Sequence, residues 1–417
     1  MLVWISFVTA QRPTRPIFTD EDQGIPDLIF FETHVLPHDS LFECYITFRI
    51  PYNNLVFIKD NGFYKGGLSL TIEALLDESV TAREIASREV TVENYEITKS
   101  RNEFIEGLLK INLERRIYTF SPSITIGNTD QVIVLKPFTC NIDKEINGKI
   151  IKPIVVAENI SMCQETELFE LVNYQNYIPF SSSHFSLVIP ITDTSIDSIN
   201  VEVMQENNVT SYSLSAGHYS IAAGFNSCDN KIIIAEVEGN APLNLFVLND
   251  INKNLKEGIT EISVGLNGKE KKTFTYNVVW LDKPKSLMDT EYAIKLLGNI
   301  VNESVVDELL DHSRQDYYKY LYSFWEKRNS RKDSFFNGLM EEFYTRVDYA
   351  NENFSTLDGF GASLDRGKIY IKFGKPTKVE RLYSEKSEVI EIWHYSNINR
   401  DFYFKDNTGL GNFSLIK

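Results

Sequence analysis

The side chains that could carry out chemistry are few in this sequence, and their spacing argues against the common catalytic and metal sites. His184 follows a serine run that begins at Ser181, but no G-x-S-x-G motif places a serine on a strained turn. His34 and His38 are four residues apart, but Pro37 between them disfavours the helix that would bring both rings to one metal ion. Metalloprotease, P-loop, dinucleotide-binding and EF-hand spacings are also missing. We therefore predict no catalytic residue, no metal ligand and no cofactor, and we predict that the protein is not an enzyme.

The four cysteines are Cys44, Cys140, Cys163 and Cys228, and no two of them form a C-x-x-C pair. This spacing argues against zinc fingers and thioredoxin-like redox motifs. Cys140 and Cys163 flank a predicted turn at Asn147-Gly148, so in an oxidising compartment they could form a disulfide. Buried free thiols are the favoured interpretation for the four residues.

One constellation near the carboxy terminus could bind a ligand, because five charged residues fall at the predicted ends of elements in an aromatic-rich region. They are Arg346, Asp365, Arg366, Glu391 and Asp406. The favoured interpretation is a buried salt-bridge network that joins helices to a sheet. The alternative is a small site for an anion or a peptide terminus.

The local pattern around these charges predicts a turn followed by a strand. Asp365 can accept backbone N–H bonds in a charged turn, and Gly367 gives the backbone freedom before the strand that is predicted over Lys368–Phe373. Gly374 and Pro376 are expected to end that strand.

Short β runs separated by turn residues fill the first two-thirds of the chain and predict two antiparallel sandwiches of immunoglobulin-like size. The first sandwich is predicted from the runs Leu28–Phe31, Leu41–Ile50, Leu55–Ile58, Gly67–Leu75, Ala86–Val92, Phe104–Ile111 and Tyr118–Ile126. The second is predicted from Phe185–Ile191, Ile199–Val203, His218–Ala222, Lys231–Val237, Leu243–Leu248, Ile259–Val264 and Lys272–Val279, with a two-residue hairpin turn at Asn267-Gly268.

The pattern changes after Lys283, where apolar residues recur at three- and four-residue steps. Ala293, Leu296, Leu297 and Ile300 share one helical face, and two or three helices are predicted before residue 330. A further helix is predicted over Phe335–Asn353, and Asp358-Gly359-Phe360-Gly361 breaks it before a terminal β-rich module.

The net charge of −16 lies almost entirely in the first two-thirds of the 417 residues. Residues 283–417 contain 20 Lys and Arg against 21 Asp and Glu, whereas residues 1–282 contain 22 against 37. An acidic surface repels phosphate backbones and anionic lipids, so nucleic acid is not expected as a partner.

The first eleven residues are apolar and end in the small-x-small pattern Val8-Thr9-Ala10 before a polar run. This pattern is typical of the end of a secretory signal peptide, although the basic residues that usually begin one are missing. We predict a signal-peptide-like segment over residues 1–16 and no transmembrane segment elsewhere. The expected location is the periplasm or the cell envelope, and the cytoplasm is the alternative.

The carboxy-terminal residues resemble one family, the GWxTD domain proteins, extracytoplasmic proteins of the Bacteroidota type whose biochemical role is not established. The resemblance rests on motifs such as Tyr344–Asn351, Asp365–Ile371 and Phe373–Pro376, and it extends to Pro51–Phe57 and Tyr95–Arg101 in the first sandwich. It implies a structural or binding network, for which the candidate residues are Trp325, Arg328, Arg346, Asp365, Arg366, Gly367, Gly374, Pro376, Glu391, Trp393 and Asp406.

The sequence departs from the family in the motif that gives the family its name. Gly361-Ala362-Ser363-Leu364-Asp365 stands where the family has Gly-Trp-x-Thr-Asp, so the tryptophan and the threonine are replaced by Ala362 and Leu364. Trp393 alternates with Ile392 on a predicted strand, and burial of its indole is sufficient reason for its presence.

The predicted fold class is a multidomain, mainly β chain with a helical connector and a small α+β terminal module. The domains are predicted at residues 17–149, 150–282, 283–355 and 356–417, the last two together forming the GWxTD-like domain. The first functional hypothesis is a non-enzymatic structural or interaction protein of the envelope that binds a protein partner through a sheet edge or the terminal module. The alternatives are a protein that binds carbohydrate or peptidoglycan and, less favoured, a hydrolase.

Overall fold

The computed structural model describes residues 29–38, 41–100, 102–129, 131–160, 169–215, 220–228, 230–266, 268, 270–357, 359–383, 389–406, 409 and 411–416. Several predictions concern residues outside these ranges. They are the signal-like segment, Leu28, Cys163, His218, Asn267 and Asp358.

The first sandwich packs a three-stranded sheet on a larger sheet. Its strands are β1 (Phe30–His38), β2 (Leu41–Pro51), β3 (Ile58–Asp60), β4 (Phe63–Leu76), β5 (Ser79–Val92), β6 (Phe104–Leu113), β7 (Ile117–Ile126), β8 (Val132–Val134) and β9 (Phe138–Asn141), and α1 (Ile142–Glu145) follows. The small sheet has the order β1-β2-β6, and the other has the order β3-β4-β7-β8, with β5 paired to β4 and β9 to β7. The pattern of period two holds on β4, where Leu68, Leu70, Ile72 and Ala74 face the core.

The second sandwich packs seven strands against five. Its strands are β10 (Ile154–Ile160), β11 (Phe169–Leu171), β12 (Ile178–Pro179), β13 (Phe185–Ile191), β14 (Ser198–Gln205), β15 (Asn208–Ser215), β16 (Ser220–Ile221), β17 (Ala223–Cys228), β18 (Lys231–Glu236), β19 (Leu243–Leu248), β20 (Gly258–Leu266) and β21 (Glu270–Val279). The sheet orders are β16-β19-β13-β10-β11-β18-β17 and β12-β21-β20-β14-β15, and β12 pairs parallel to β21 while the other pairs are antiparallel.

Helices and a four-stranded sheet complete the chain. The helices are α2 (Thr290–Leu296), α3 (Glu303–Leu310), α4 (Tyr317–Glu326), α5 (Gly338–Phe354) and α6 (Asp365–Phe373). The sheet has the order β22-β23-β24-β25, formed by Lys378–Tyr383, Val389–Tyr395, Arg400–Asp406 and Phe413–Leu415. The predicted fold class is confirmed.

The helical region shares one hydrophobic core with the second sandwich. Trp280, at the end of β21, is buried with its ring centroid 5.8 Å from that of Phe180 and 5.2 Å from that of Phe336. The same core continues to Trp325 on α4 and Tyr344 on α5. The helices therefore rest on the sandwich rather than forming a free connector.

A sandwiched arginine joins the two β domains. The Arg49 guanidinium on β2 lies 3.8 Å from the ring centroid of Phe104 and 4.0 Å from that of Tyr174, and its Nε is 3.5 Å from Glu106 Oε1. Burial raises the pKa of Glu106, while the positive charges of Arg49 and Lys231 oppose this rise. Arg49 Nη1 also donates to the Val172 carbonyl oxygen at 2.8 Å, so this one side chain contacts both sandwiches.

The strand predicted over Lys368–Phe373 is wrong, because this segment is helix α6. The apolar residues Ile369, Ile371 and Phe373 alternate as in a strand, but Gly367, Tyr370 and Ile371, which have helical spacing, are the residues that are buried. Packing against α5 selects the helix over the local β preference.

The favoured prediction of buried free thiols is confirmed for Cys44 and Cys140, so the alternative, a Cys140–Cys163 disulfide, is not formed. The prediction of a free thiol fails for Cys228, which is disulfide-bonded. Cys140 lies on β9 in the first sandwich, whereas Cys228 ends β17 in the second.

Backbone contact between α6 and the turn before it predicts a sharp mutational effect. A Cβ atom at Gly367 would lie 1.8 Å from the Gly361 carbonyl oxygen. We expect Gly367→Ala to lower the free energy of unfolding by about 3 kcal/mol, because backbone atoms cannot move aside as a side chain would. Urea unfolding measures the difference, and Gly298→Ala is the control because no atom lies within 4 Å of its added Cβ. Equal stability of the two variants would contradict the prediction.

Candidate functional site

The candidate residues of the terminal module divide into three separate groups around α6 and its sheet. Arg366 lies on the first turn of α6, and Glu391 and Trp393 lie on β23. Asp365 begins α6 and Asp406 ends β24. The structure therefore brings Asp365, Arg366, Glu391 and Asp406 to one end of α6. The predicted single network is replaced there by an ion pair around Glu391 and by aspartates that bind backbone amides.

The first group is centred on the carboxylate of Glu391, which is 3% exposed. It accepts a hydrogen bond of 2.7 Å from Trp393 Nε1 and one of 2.8 Å from Arg381 Nε. Arg366 Nη1 lies 3.6 Å from Glu391 Oε1. One buried negative charge is thus shared by two guanidinium groups and an indole, an arrangement that satisfies its hydrogen-bonding capacity.

Arg366 is held on its other sides as well. Its Nη2 donates to the Gly411 carbonyl oxygen at 3.2 Å, and its guanidinium carbon lies 4.2 Å from the ring centroid of Phe413 and 5.1 Å from that of Phe354. Burial lowers the pKa of Arg366, and the nearby Glu391 opposes this change, so the guanidinium keeps its charge. Its donors are directed to groups of the protein, which argues against an open anion site.

The second group consists of the two aspartates, which bind backbone amides. Asp406 accepts hydrogen bonds from the Gly409 and Gly411 N–H groups at 2.9 and 2.8 Å. Asp365 accepts one from the Leu415 N–H group at 2.8 Å, which ties α6 to β25. Both carboxylates therefore fix backbone segments beside α6 and β24.

The third group lies at the other end of α6. Arg346 on α5 donates to the Ile371 carbonyl oxygen at 3.2 Å and pairs with Glu342 on its own helix. Gly374 ends α6 with a φ of +78°, where a side chain would be strained, and its carbonyl oxygen accepts a 2.7 Å hydrogen bond from Tyr395 Oη. Burial raises the pKa of Tyr395, so it is a neutral donor at physiological pH.

The remaining candidates lie away from these groups. Trp325 is buried in the large core against Phe343, and Arg328 covers the Phe324 ring with its guanidinium carbon 3.6 Å from the ring centroid. Pro376 lies between α6 and β22 and is half-buried. The structure does not bring Trp325 or Arg328 to the Glu391 carboxylate.

Sequence reasoning missed Arg381, which completes the Glu391 group. Arg381 and Glu391 face each other directly in the β22–β23 register. The signal was available, since a hairpin between these runs would place opposite charges side by side. It was missed because neither β22 nor the turn before β23 was predicted.

One edge of the terminal sheet is open. Strand β22 pairs with β23 on one side only within the described residues, and five of its six residues are exposed. Val379 is 47% exposed, Leu382 51% and Tyr383 72%. An unpaired strand with apolar side chains is the geometry by which sheets accept an added strand.

One cleft of about 300 Å³ opens on the outer face of the second sandwich. It is lined by Asn200, Glu202, Ser263, Gly265, Gly268, Glu270 and Lys271. Lys271 Nζ is already paired to Glu202 at 2.6 Å. Within the described residues, no group of three or more His, Cys, Asp or Glu side chains is placed to hold a metal ion.

None of the described helices is long and apolar enough to span a bilayer.

Comparison with known families identifies the terminal region. Residues 266–416 match the GWxTD domain, so the chain contains a GWxTD domain. The match begins within β20, earlier than the predicted boundary at residue 283, in agreement with the core that the helices share with the second sandwich. No curated protein matches the chain.

Similarity to solved structures is slight. The chain has 11% identity to a purple acid phosphatase from yellow lupin (Lupinus luteus), covering 60% of this chain and 40% of that one at a TM-score of 0.17. Titin Ig tandem domains A164-A165 give 8% identity, coverage of 60% and 95% and a TM-score of 0.13. The carboxy-terminal domain of the Streptococcus agalactiae AgI/II polypeptide BspA has 8% identity to this chain, covering 59% of this chain and 99% of that one at a TM-score of 0.14. The chain spans less than half the length of the phosphatase, and these TM-scores support no inference.

The GWxTD motif predicts that restoring its threonine stabilises this chain. Leu364 is the N-cap of α6 and provides no side-chain cap, whereas a threonine hydroxyl can accept a hydrogen bond from a free N–H group of the first turn. We expect Leu364→Thr to raise the free energy of unfolding by about 1 kcal/mol. Leu364→Val is the matched control, because valine has the shape of threonine without the hydroxyl. A gain of equal size in both variants, measured by urea unfolding, would rule out capping.

The Glu391 group predicts unequal effects of its partners. Glu391→Gln removes the carboxylate that pairs with the buried Arg366, so we expect a loss of about 3 kcal/mol in the free energy of unfolding. Arg381→Ala should cost less than about 1 kcal/mol, because that side chain is 56% exposed. Both values come from urea unfolding followed by tryptophan fluorescence, since Trp393 contacts the carboxylate. An Arg381 variant as unstable as the Glu391 variant would contradict this account.

Proposed function

We propose that this protein, which carries a GWxTD domain, is a non-enzymatic interaction protein that binds a protein partner by strand addition to β22. The observation that supports this most directly is the open edge of the terminal sheet. There, Leu382 and Tyr383 expose apolar surface beside unpaired backbone groups. A partner strand would gain backbone hydrogen bonds from the edge and side-chain contacts from the two residues.

The charged residues around Glu391 hold the edge strand β22 in place. Glu391 holds Arg381 on β22, and the same carboxylate is fixed by Trp393 and Arg366 from inside the module. The edge strand is therefore anchored to a buried group at its middle. A rigid edge lowers the entropic cost of binding an extended peptide.

The carbohydrate or peptidoglycan alternative has less support from the described residues. Stacking on sugar rings requires exposed aromatic faces beside amides in a groove. The cleft on the second sandwich contains Asn200 but no aromatic residue. The stacked pair Tyr349 and Tyr370, with centroids 4.4 Å apart, presents its faces to each other.

The place of action that we propose is the periplasm or the cell envelope. Support comes from the apolar start of the sequence and from the disulfide at Cys228, since disulfides persist mainly in oxidising compartments. The acidic composition of residues 1–282 agrees with a soluble surface that does not bind nucleic acid.

Capture of partners from envelope extract by the tagged chain tests the proposal. We expect Leu382→Lys with Tyr383→Lys to abolish the capture of a specific protein, because both side chains are exposed and their replacement removes apolar contact without affecting the core. Val209→Lys is the matched control, since Val209 is 58% exposed on β15, an edge strand of the second sandwich. Circular dichroism confirms that all variants are folded.

Three results would decide against the proposal. Capture that survives the β22 substitutions would move the interface elsewhere. Loss in the Val209 variant as well would indicate nonspecific capture. Retention of peptidoglycan or oligosaccharide, with no protein retained, would favour the glycan alternative.

A further inference from the structure

Two cysteine side chains meet in the core of the first sandwich. Cys44 lies on β2, in the middle of the three-stranded sheet, and Cys140 lies on β9, which pairs with β7 of the larger sheet. Both are thiols in this structure, and they are 0% and 4% exposed in the same hydrophobic core. The Cys44 thiol forms a hydrogen bond with Cys140, so side chains from the two opposite sheets are in contact.

The strands on either side hold the two cysteines in these positions. Cys44 is opposite Val35 of β1 and Ile111 of β6, and Cys140 is opposite Tyr118 of β7. Paired strands move little relative to one another, because each is fixed by a ladder of backbone hydrogen bonds. The contact between the two thiols is therefore set by the packing of the sheets and not by a loop.

We propose that Cys44 and Cys140 form a disulfide that joins the two sheets of the first sandwich when the chain folds in an oxidising compartment. A disulfide across the core of a β-sandwich occurs in immunoglobulin domains, where it links strands of opposite sheets. Cys228 is disulfide-bonded in the second sandwich, so a compartment that forms that bond also supplies the oxidant for this one. The oxidant is a disulfide, carried by a thiol–disulfide oxidoreductase or by oxidised glutathione.

The reaction consists of two thiol–disulfide exchanges. The thiolate of one cysteine attacks the disulfide of the oxidant, which gives a mixed disulfide and releases one thiol. The thiolate of the other cysteine then attacks the cysteine sulfur of the mixed disulfide, which gives the Cys44–Cys140 bond and releases a second thiol. The two cysteines together lose two protons and two electrons, and the disulfide of the oxidant is reduced to two thiols.

The surroundings of the pair predict when the bond forms. The hydrogen bond with Cys140 and burial raise the pKa of Cys44, and the negative charge of Glu145 adds to this rise. The thiolate is the attacking species, and an external oxidant does not reach a buried side chain. The folded, reduced chain should therefore resist oxidation. The bond forms while the sandwich is still closing, when both thiols are accessible.

Mapping the disulfides of the full chain tests the proposal. The chain is unfolded and reduced, then refolded in a glutathione mixture that fully oxidises Cys228, which is the internal positive control. We expect digestion without reductant, followed by mass spectrometry, to find the Cys44 and Cys140 peptides joined in most molecules. A chain that is folded under reducing conditions before it meets the same mixture should form this bond at least about tenfold more slowly, because both thiols are then buried.

Thermal unfolding with and without reductant measures the effect of the bond on stability. The bond closes a loop of roughly 95 residues, and a disulfide around such a loop should raise the melting temperature by about 5 to 10 °C. The double variant Cys44→Ala with Cys140→Ala is the matched control, because it keeps Cys228 and lacks the proposed bond. Reductant should therefore lower the melting temperature of the wild type by about 5 to 10 °C more than that of the variant.

Several outcomes would overturn the proposal. They are free Cys44 and Cys140 in a refolded chain whose Cys228 is oxidised, a Cys44 or Cys140 peptide joined to a different cysteine, a reductant effect of equal size in the wild type and the double variant, and equally fast oxidation of the folded chain. The mapping uses the wild type alone, so it decides the question even where the double variant does not fold.

Discussion

The terminal module depends on the close approach of three backbone segments, which are α5, the turn at Gly361 and the first turn of α6. A Cβ atom at Gly361 would lie 1.9 Å from the Ala350 carbonyl oxygen of α5, and one at Gly367 would lie 1.8 Å from the Gly361 carbonyl oxygen. The turn is therefore clamped between two helices with no room for side chains. This contact brings the first turn of α6 over β23, where Arg366 meets Glu391. Gly361, the glycine of the family motif, is therefore required by this packing, because a larger residue would not fit.

The two residues that depart from the family motif lie in and beside this turn. Ala362, which stands where the family has tryptophan, is 1% exposed, and its N–H group donates to Asn351 Oδ1 at 2.9 Å. Leu364, which stands where the family has threonine, is the N-cap of α6 and has no hydroxyl. Nearby, Phe360 is 70% exposed and Leu357 fully exposed. The motif here retains the parts that fold the turn and changes the parts that fill or cap it.

Sequence patterns predicted the β strands well and one helix wrongly, for a physical reason. On β4 and β20 one face is buried, so alternation predicts both strands, although β4 begins at Phe63, four residues before the predicted Gly67. In Lys368–Phe373 the spacing fits both a strand and a helix, and packing of α6 against α5 and against the preceding turn selects the helix. The Glu391 group was predicted only in part, because Arg381 enters it through strand register. Register depends on a turn that the sequence does not define clearly.

The charges of this chain fix its shape in more than one place. In the terminal module Arg366 and Asp406 direct their bonds to backbone groups of the same module. On β5, Arg83 binds Glu73 on β4 and Arg88 donates to the Glu106 carbonyl oxygen on β6, so these charges hold neighbouring strands together. A charge that is already bound within the chain contributes little to a new contact, which is why the proposed interaction relies on exposed apolar residues such as Leu382 and Tyr383.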